Sequence, residues 1–211
     1  MQQKPRVVIV GAGGQGHVVL DVLVELGQVD VVGFLDDRPE LWHTVTKADY
    51  PVLGGIDFGV IEKGQAESFV IAVGNNAVRA RLFEEGLASG LTPWDVRHPS
   101  VIVASSAELG VGAQVAAGVI IGPFAVIGRN VLMAAGCTVA HDCRIGDHAF
   151  VAPGAHLGGD VTVEELAFIG IGANVHPGIR VGRAAVVGGG AMVIRDVPPD
   201  TTVVGVPARK I

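Results

Sequence analysis

The sequence predicts a small parallel α/β domain over residues 1–98, followed by an all-β solenoid over residues 99–211. Three observations predict this pairing. Apolar runs alternate with helical patterns up to about residue 98. From Leu109 an aliphatic residue recurs at every sixth position. The composition is 49% hydrophobic yet only 5% aromatic, with 31 glycines in 211 residues. Such a chain builds its core from Val, Ile and Ala in short strands joined by tight turns.

In the first half, Val7 to Val10 reads as a buried strand and runs into Gly11-Ala12-Gly13-Gly14-Gln15-Gly16-His17. Val18 to Leu26 then predicts a helix that stops at Gly27. Val31 to Leu35 predicts a second strand, ending at Asp36-Asp37, and Ser68 to Val73 a further one, ending at Gly74-Asn75-Asn76. Ala77 to Ala88 follows as a helix, and Gly90 to Ser100, with Pro93 and Pro99, reads as a connector. Alternation of strand and helix implies a small parallel sheet of three or four strands.

The second half has a six-residue grammar. Aliphatic residues stand at Leu109, Val115, Ile121, Ile127, Met133, Val139 and onward to Val193, fifteen positions in step. A small residue usually follows each, and four residues after each comes another small or branched apolar one, such as Ala113, Val119, Cys137 or Cys143. A fixed short period signals a solenoid. Each hexad supplies a short strand with its aliphatic side chain inward, and three hexads close a triangular coil of eighteen residues. Residues eighteen apart therefore stack at about the inter-strand spacing of 4.8 Å. The period fixes no hand, and the general rule for crossover connections favours the right hand.

Several function classes are disfavoured. A formal net charge of −6 argues against a nucleic-acid partner, which needs clustered Lys and Arg. Leu109 to Gly128 lacks charge, but the hexad period runs through it and on into charged sequence, which argues against a membrane span. Two cysteines make no secreted disulfide framework, and a cytoplasmic protein without a signal peptide is expected.

Polar residues at the coil corners are the candidates for chemistry. His141 stands two residues after inward Val139, at a corner where side chains point outward, and Gly159 lies eighteen residues further on. A histidine near neutral pKa suits general-base work, and adjacent Asp142 could hold its tautomer; the pair could equally be a plain surface turn. His156 and His176 read as structural, and His148 as solvated. A zinc site combining Cys137, His141, Cys143 and His148 is disfavoured, because the two cysteines occupy inward positions on different sides of the coil, and no metal is expected.

The glycine loop is the second constellation. Gly11-x-Gly13-x-x-Gly16 lies between a strand and a helix, and Asp36 comes twenty residues after Gly16 at the tip of the next strand. Glycines let a backbone approach phosphates at a helix N-terminus, and an acid at that tip can receive a sugar hydroxyl or a base N–H. The pattern fits NAD. A domain of about 95 residues is short for that fold, and a nucleoside diphosphate sugar needs less room.

The GxGGxGH loop, the strand ending Asp36-Asp37, the connector His98-Pro99-Ser100, hexads carrying His141-Asp142-Cys143-x-Ile145-Gly146 and the closing Gly205-Val206-Pro207-Ala208 together resemble a family. It is the nucleotide-sugar acetyltransferases of the left-handed β-helix superfamily, most similar in its GDP-perosamine N-acetylating members. The resemblance implies a left-handed coil and a homotrimer with active sites between neighbouring solenoids. It implies acetyl-CoA as co-substrate and a nucleotide-sugar partner, in bacterial surface glycan synthesis. By position it implies that His141 is the base with Asp142 beside it, and that Gly159 offers a backbone N–H to the thioester carbonyl. Ile171 and Gly189 would lie along the pantetheine arm. Gly11, Gly13, Gly14, Gly16, His17, Asp36 and Asp37 would surround the nucleotide sugar. One departure is Phe150, where the diaminosugar members carry a second histidine. The competing expectations are a UDP-linked amino sugar, a sugar O-acetyltransferase, an NAD enzyme, and a nucleotide-binding scaffold without catalysis.

Overall fold

The structure, a computed structural model, describes residues 4–61 and 64–211. Its chain separates into two compact units, Met1–Val96 and Arg97–Ile211.

The first unit is a five-stranded parallel sheet in the order β3-β2-β1-β4-β5. Its elements run β1 (Arg6–Val10), α1 (Gly14–Leu26), β2 (Asp30–Leu35), β3 (Val52–Gly54), β4 (Ser68–Ile71), α2 (Asn76–Ala88) and β5 (Thr92–Pro93). Central β1 is apolar at consecutive positions because both its faces are covered. Val7 and Ile9 pack with Val19, Leu20 and Leu23 of α1. Val8 and Val10 pack with Leu82 and Phe83 of α2. The order reverses between β1 and β4, which makes the loops after these two strands the switch-point crevice of an open α/β sheet.

The elements differ from the expected ones in three respects. Helix α1 begins at Gly14, inside the glycine loop, rather than at Val18. It does end at Gly27, whose φ of 59° lets its N–H bond back to Leu23 O. The stretch read as a connector contains two short strands, Thr92–Pro93 and Val96–Arg97. Thr92–Pro93 is an edge strand, where a proline costs no ladder bond. With β3 also unrecognised, the sheet has five strands instead of three or four.

The second unit is the parallel β-helix. Each inward aliphatic residue is the second member of a two-residue strand, and the strands stack in parallel at intervals of eighteen residues, as Ile121↔Val139 and Val139↔Leu157 illustrate. The three faces carry Leu109, Ile127, Ile145, Val163 and Val181; Val115, Met133, Val151, Ile169 and Val187; and Val103, Ile121, Val139, Leu157, Val175 and Val193. The coil starts before the expected Leu109, because Ile102–Val103 already pairs with Ile120–Ile121. The small inward residues, Val119, Ala125, Cys137, Cys143 and Val161 among them, are wholly buried.

The corners follow a rule that the hexad pattern alone does not announce. Three residues after the inward aliphatic the backbone is left-handed, at glycines such as Gly136 and Gly154 and at Asn130, Asp142, His148 and Asp160. Asn and Asp tolerate this region better than other non-glycine residues. His148, expected in solvent, is buried at 4% exposure. Its Nδ1 lies 3.0 Å from Asn130 Nδ2, the corner residue one coil earlier. A column of charge pairs lines the same edge, with Arg129 donating to Asp147 and Arg183 beside Glu165.

Candidate functional site

In the β-helix, His141 and Asp142 meet at the corner after Val139. Asp142 has a φ of 60°, and this sharp turn brings its Oδ2 to 2.7 Å from His141 Nδ1. Both side chains are exposed, at 64% and 55%. With Nδ1 engaged, Nε2 is the ring nitrogen left for a proton. That edge of the ring lies over Gly159, where a Cβ would stand 2.5 Å from both Nε2 and Cε1. The glycine is thus needed for the histidine to sit where it does. The ladder brackets this residue: Gly158 N–H donates to Val175 O (2.9 Å) and Asp160 N–H to His141 O (2.9 Å).

The other two residues expected near the acyl donor are also paired. Ile171 sits against Gly189, whose Cβ would come within 3.0 Å of Ile171 Cγ2. They occupy the corner after Ile169 and Val187, so one chain puts them on a different corner from His141 and Gly159. Phe150 is half-buried and meets Phe168 edge-on, ring centroids 5.1 Å apart, which fills its place with an aromatic stack. Cys137 and Cys143 are buried free thiols, and burial pushes Cys137 up to about 12. Such a thiol is inert at neutral pH.

In the α/β unit, Gly11 and Gly16 are fixed by packing. Gly11 has a φ of 105°, and a Cβ there would meet Ala72 O at 2.7 Å. Gly13 and Gly14 have nothing within 4 Å of such a Cβ, so the fold itself does not require glycine at either place. Gly13 caps α1 without a side-chain hydrogen bond. The start of the helix is therefore bare backbone, the form that receives an anion.

Asp36 is buried at 6% exposure. Its Oδ2 accepts from Ala12 N–H (2.8 Å), which ties the tip of β2 to the glycine loop, and both oxygens accept from the Arg38 guanidinium (2.7 and 2.9 Å). Arg38 was missed by sequence reasoning. The signal was its place two residues after an acid at a strand tip. Asp37 instead accepts from Ile56 N–H at 3.3 Å. His17, on the first turn of α1, meets Phe34 edge-on. It also lines an open cleft of about 380 Å³ with Asp21, Lys47 and Tyr50, within the roughly 300–1,000 Å³ typical of ligand pockets.

Arg38's hydrogen bonds, helped by Ala12 N–H and opposed by burial, hold the Asp36 carboxyl down at about 2. A depressed carboxyl adds stability at neutral pH, and that stability drains away as pH falls from its unfolded value of about 3.9 toward 2. Urea unfolding of the α/β unit should therefore steepen its loss between about pH 4 and 2. Asp36→Asn should flatten that segment of the curve. An identical pH profile in the variant would count against the pairing.

Residues 6–85 match the family model described as the PglD N-terminal domain, and residues 124–159 match the bacterial transferase hexapeptide model of six repeats. The acetyltransferase domain of PglB from Neisseria gonorrhoeae, solved with acetyl coenzyme A, is similar at 32% identity and a TM-score of 0.90, over 99% of this chain and 100% of that one. A histidine-to-alanine mutant of GDP-perosamine N-acetyltransferase from Caulobacter crescentus, solved with CoA and GDP-perosamine, is similar at 33% identity and a TM-score of 0.92, over 97% of this chain and 96% of that one. UDP-N-acetylbacillosamine N-acetyltransferase of Bacillus subtilis is 36% identical over 118 residues, 53% of this chain. The match spans about half of that relative, 51% of its length.

Proposed function

The chain belongs to the nucleotide-sugar acetyltransferases of the left-handed β-helix superfamily, and from that premise we propose that it transfers acetyl from acetyl-CoA to the 4-amino group of a nucleotide-linked 4-amino-6-deoxy sugar. The carrying observation is the His141–Asp142 pair laid over Gly159. GDP-perosamine is the favoured acceptor, for bacterial surface glycan synthesis in the cytoplasm. The Caulobacter crescentus protein holds that nucleotide sugar together with CoA.

The step balances simply. The sugar amine adds its lone pair to the thioester carbonyl, and its proton passes to His141 Nε2. Asp142 stabilises the imidazolium through Nδ1. The oxyanion leans on Gly159 N–H, the C–S bond breaks, and CoA leaves as thiolate to take up the proton. No covalent enzyme intermediate forms, and no metal takes part. The nucleotide sits on the bare start of α1 at Gly13 and Gly14. Gly11, Gly16 and Asp36 shape the loop, and His17 and Asp37 flank it. Arg38 is added as a cation for the diphosphate. Because Ile171 and Gly189 share a different corner from His141, a pantetheine arm touching both pairs lies between two copies of the chain, which supports a homotrimer.

A second reading has its own support: the Bacillus subtilis relative is named for a UDP-linked sugar. A thiol-release assay with acetyl-CoA separates the two. GDP-4-amino-4,6-dideoxymannose should release CoA with a kcat/KM about tenfold or more above its UDP-linked counterparts. The reverse ranking would move the assignment to UDP, and silence with every amine would overturn the enzyme reading.

A further inference from the structure

We propose that Cys143 is a positioning residue for acetyl transfer, holding the Gly158–Gly159 peptide so that the Gly159 N–H faces the thioester carbonyl. The inference rests on the reading of this corner as an acetyl-transfer site.

Cys143 fills the small inward place four residues after Val139 and is wholly buried in the coil's core. Its Sγ–H donates to Gly158 O across 3.1 Å. That bond reaches from the coil carrying His141 to the next coil, which carries Gly159. A peptide unit is planar and trans, so its carbonyl and its N–H point in opposite directions. A Gly158 carbonyl turned inward to a buried sulfur therefore turns the Gly159 N–H away from the core. The outward side of Gly159 is the side on which the His141 ring edge lies. The thiol thus adds a bond to one edge of a plane that the ladder also holds, and the far edge of that plane carries the donor used in the reaction.

The stacked neighbours show what the thiol adds. In the same column, Ala125 stands one coil earlier and Val161 one coil later, both fully buried. Neither side chain can donate a hydrogen bond, and both are as fully buried as Cys143. Fold alone therefore accepts an apolar residue here. A donor is present at the level of the base and the oxyanion glycine. Burial pushes the Cys143 thiol up, against hydrogen bonds from the Val161 and Ala140 backbone that lower it, so it remains a protonated donor at neutral pH.

An S–H···O bond is weak. Preorganised donors nonetheless matter in proportion to how little they must reorient. Cys143→Val and Cys143→Ala should lower kcat about 3- to 10-fold with KM for acetyl-CoA within twofold. Cys143→Ser, which restores a donor, should recover kcat to within about twofold. Val and Ala are the residues of the adjacent coils at this place, so both variants should keep the melting transition. An independent readout is the infrared carbonyl stretch of bound, carbonyl-labelled acetyl-CoA, which a pointed N–H shifts to lower frequency. That shift should shrink in Cys143→Val and return in Cys143→Ser. A wild-type kcat and carbonyl frequency in both apolar variants would overturn the proposal. If the carbonyl shift is present and thiol-dependent while no amino sugar is acetylated, the acceptor reading fails and the role of Cys143 stands.

Discussion

Replacing His141 with alanine should lower kcat for CoA release by about 100-fold or more, the range for loss of a positioned general base, with little change in melting temperature. The stability half follows from exposure: at 64% exposed, the side chain supports no core. The catalytic half follows from the geometry of Nδ1 and Nε2. Asp142 occupies Nδ1 at 2.7 Å, so the proposed transfer would deliver the amine proton to Nε2. Gly159→Ala makes the sharper test. Its new methyl would lie 2.5 Å from the imidazole, and because that ring is at the surface it can swing aside without unfolding the coil. Activity should fall by at least about tenfold while His141 itself remains. The double variant should be no worse than His141→Ala alone, since both changes remove the same placed imidazole. Additive losses would mean that Gly159 acts independently of the histidine. Some rate should survive in all three, because juxtaposing amine and thioester lowers the barrier without a base.

The β-helix was legible in the sequence because its physics is local and repeated. Each aliphatic residue from Leu109 to Val193 points inward for the same reason, and one spacing, eighteen, gives the stacking partners up to the last coil, where Val181 and Val187 pair sixteen residues on with Val197 and Val203. The same arithmetic found Gly159 for His141. What it missed were features that depend on backbone sign and on single contacts. The left-handed corner that buries His148 against Asn130 leaves no mark in hydropathy, since glycine, aspartate, histidine and phenylalanine all occupy it. In the α/β unit, β3 and β5 have three and two residues, too few to show a period, and Pro93 disguises an edge strand as a loop. Arg38 escaped notice because its role comes from a bidentate pairing with Asp36, a contact rather than a motif. The thiol of Cys143 escaped for the opposite reason. Its place in the repeat explains it fully as a small core residue until the Gly158 carbonyl is seen beside it.

The largest stability effect should come from Gly16→Ala. A Cβ there would lie 2.0 Å from Gly11 O, 3.1 Å from Gly11 C and 3.2 Å from Phe34 Cε1. The first two are backbone atoms of the turn that leaves β1, and they cannot yield as a side-chain tip would. Gly11 is itself held from the other side, with Ala72 O at 2.7 Å from its own Cβ position. Relief therefore requires α1 to move off the sheet, which opens the layer in which Val19, Leu20 and Leu23 cover Val7 and Ile9. Overpacking a well-filled site costs about 1–3 kcal/mol and more where backbone must shift, so a loss of about 3 kcal/mol or more is expected. For a unit of this size that lowers its melting transition by about 10 °C or more. The β-helix should keep its own transition, because each coil depends only on its stacked neighbours. Gly13→Ala supplies the contrast. With nothing near its Cβ, it should lower melting far less than Gly16→Ala, by no more than the poorer N-cap costs, and weaken nucleotide-sugar binding by covering the bare start of α1. Equal melting losses in the two variants would mean that the loop glycines serve the fold alone. Split behaviour would divide the same motif into two glycines that let the strand and helix meet and two that leave room for a phosphate.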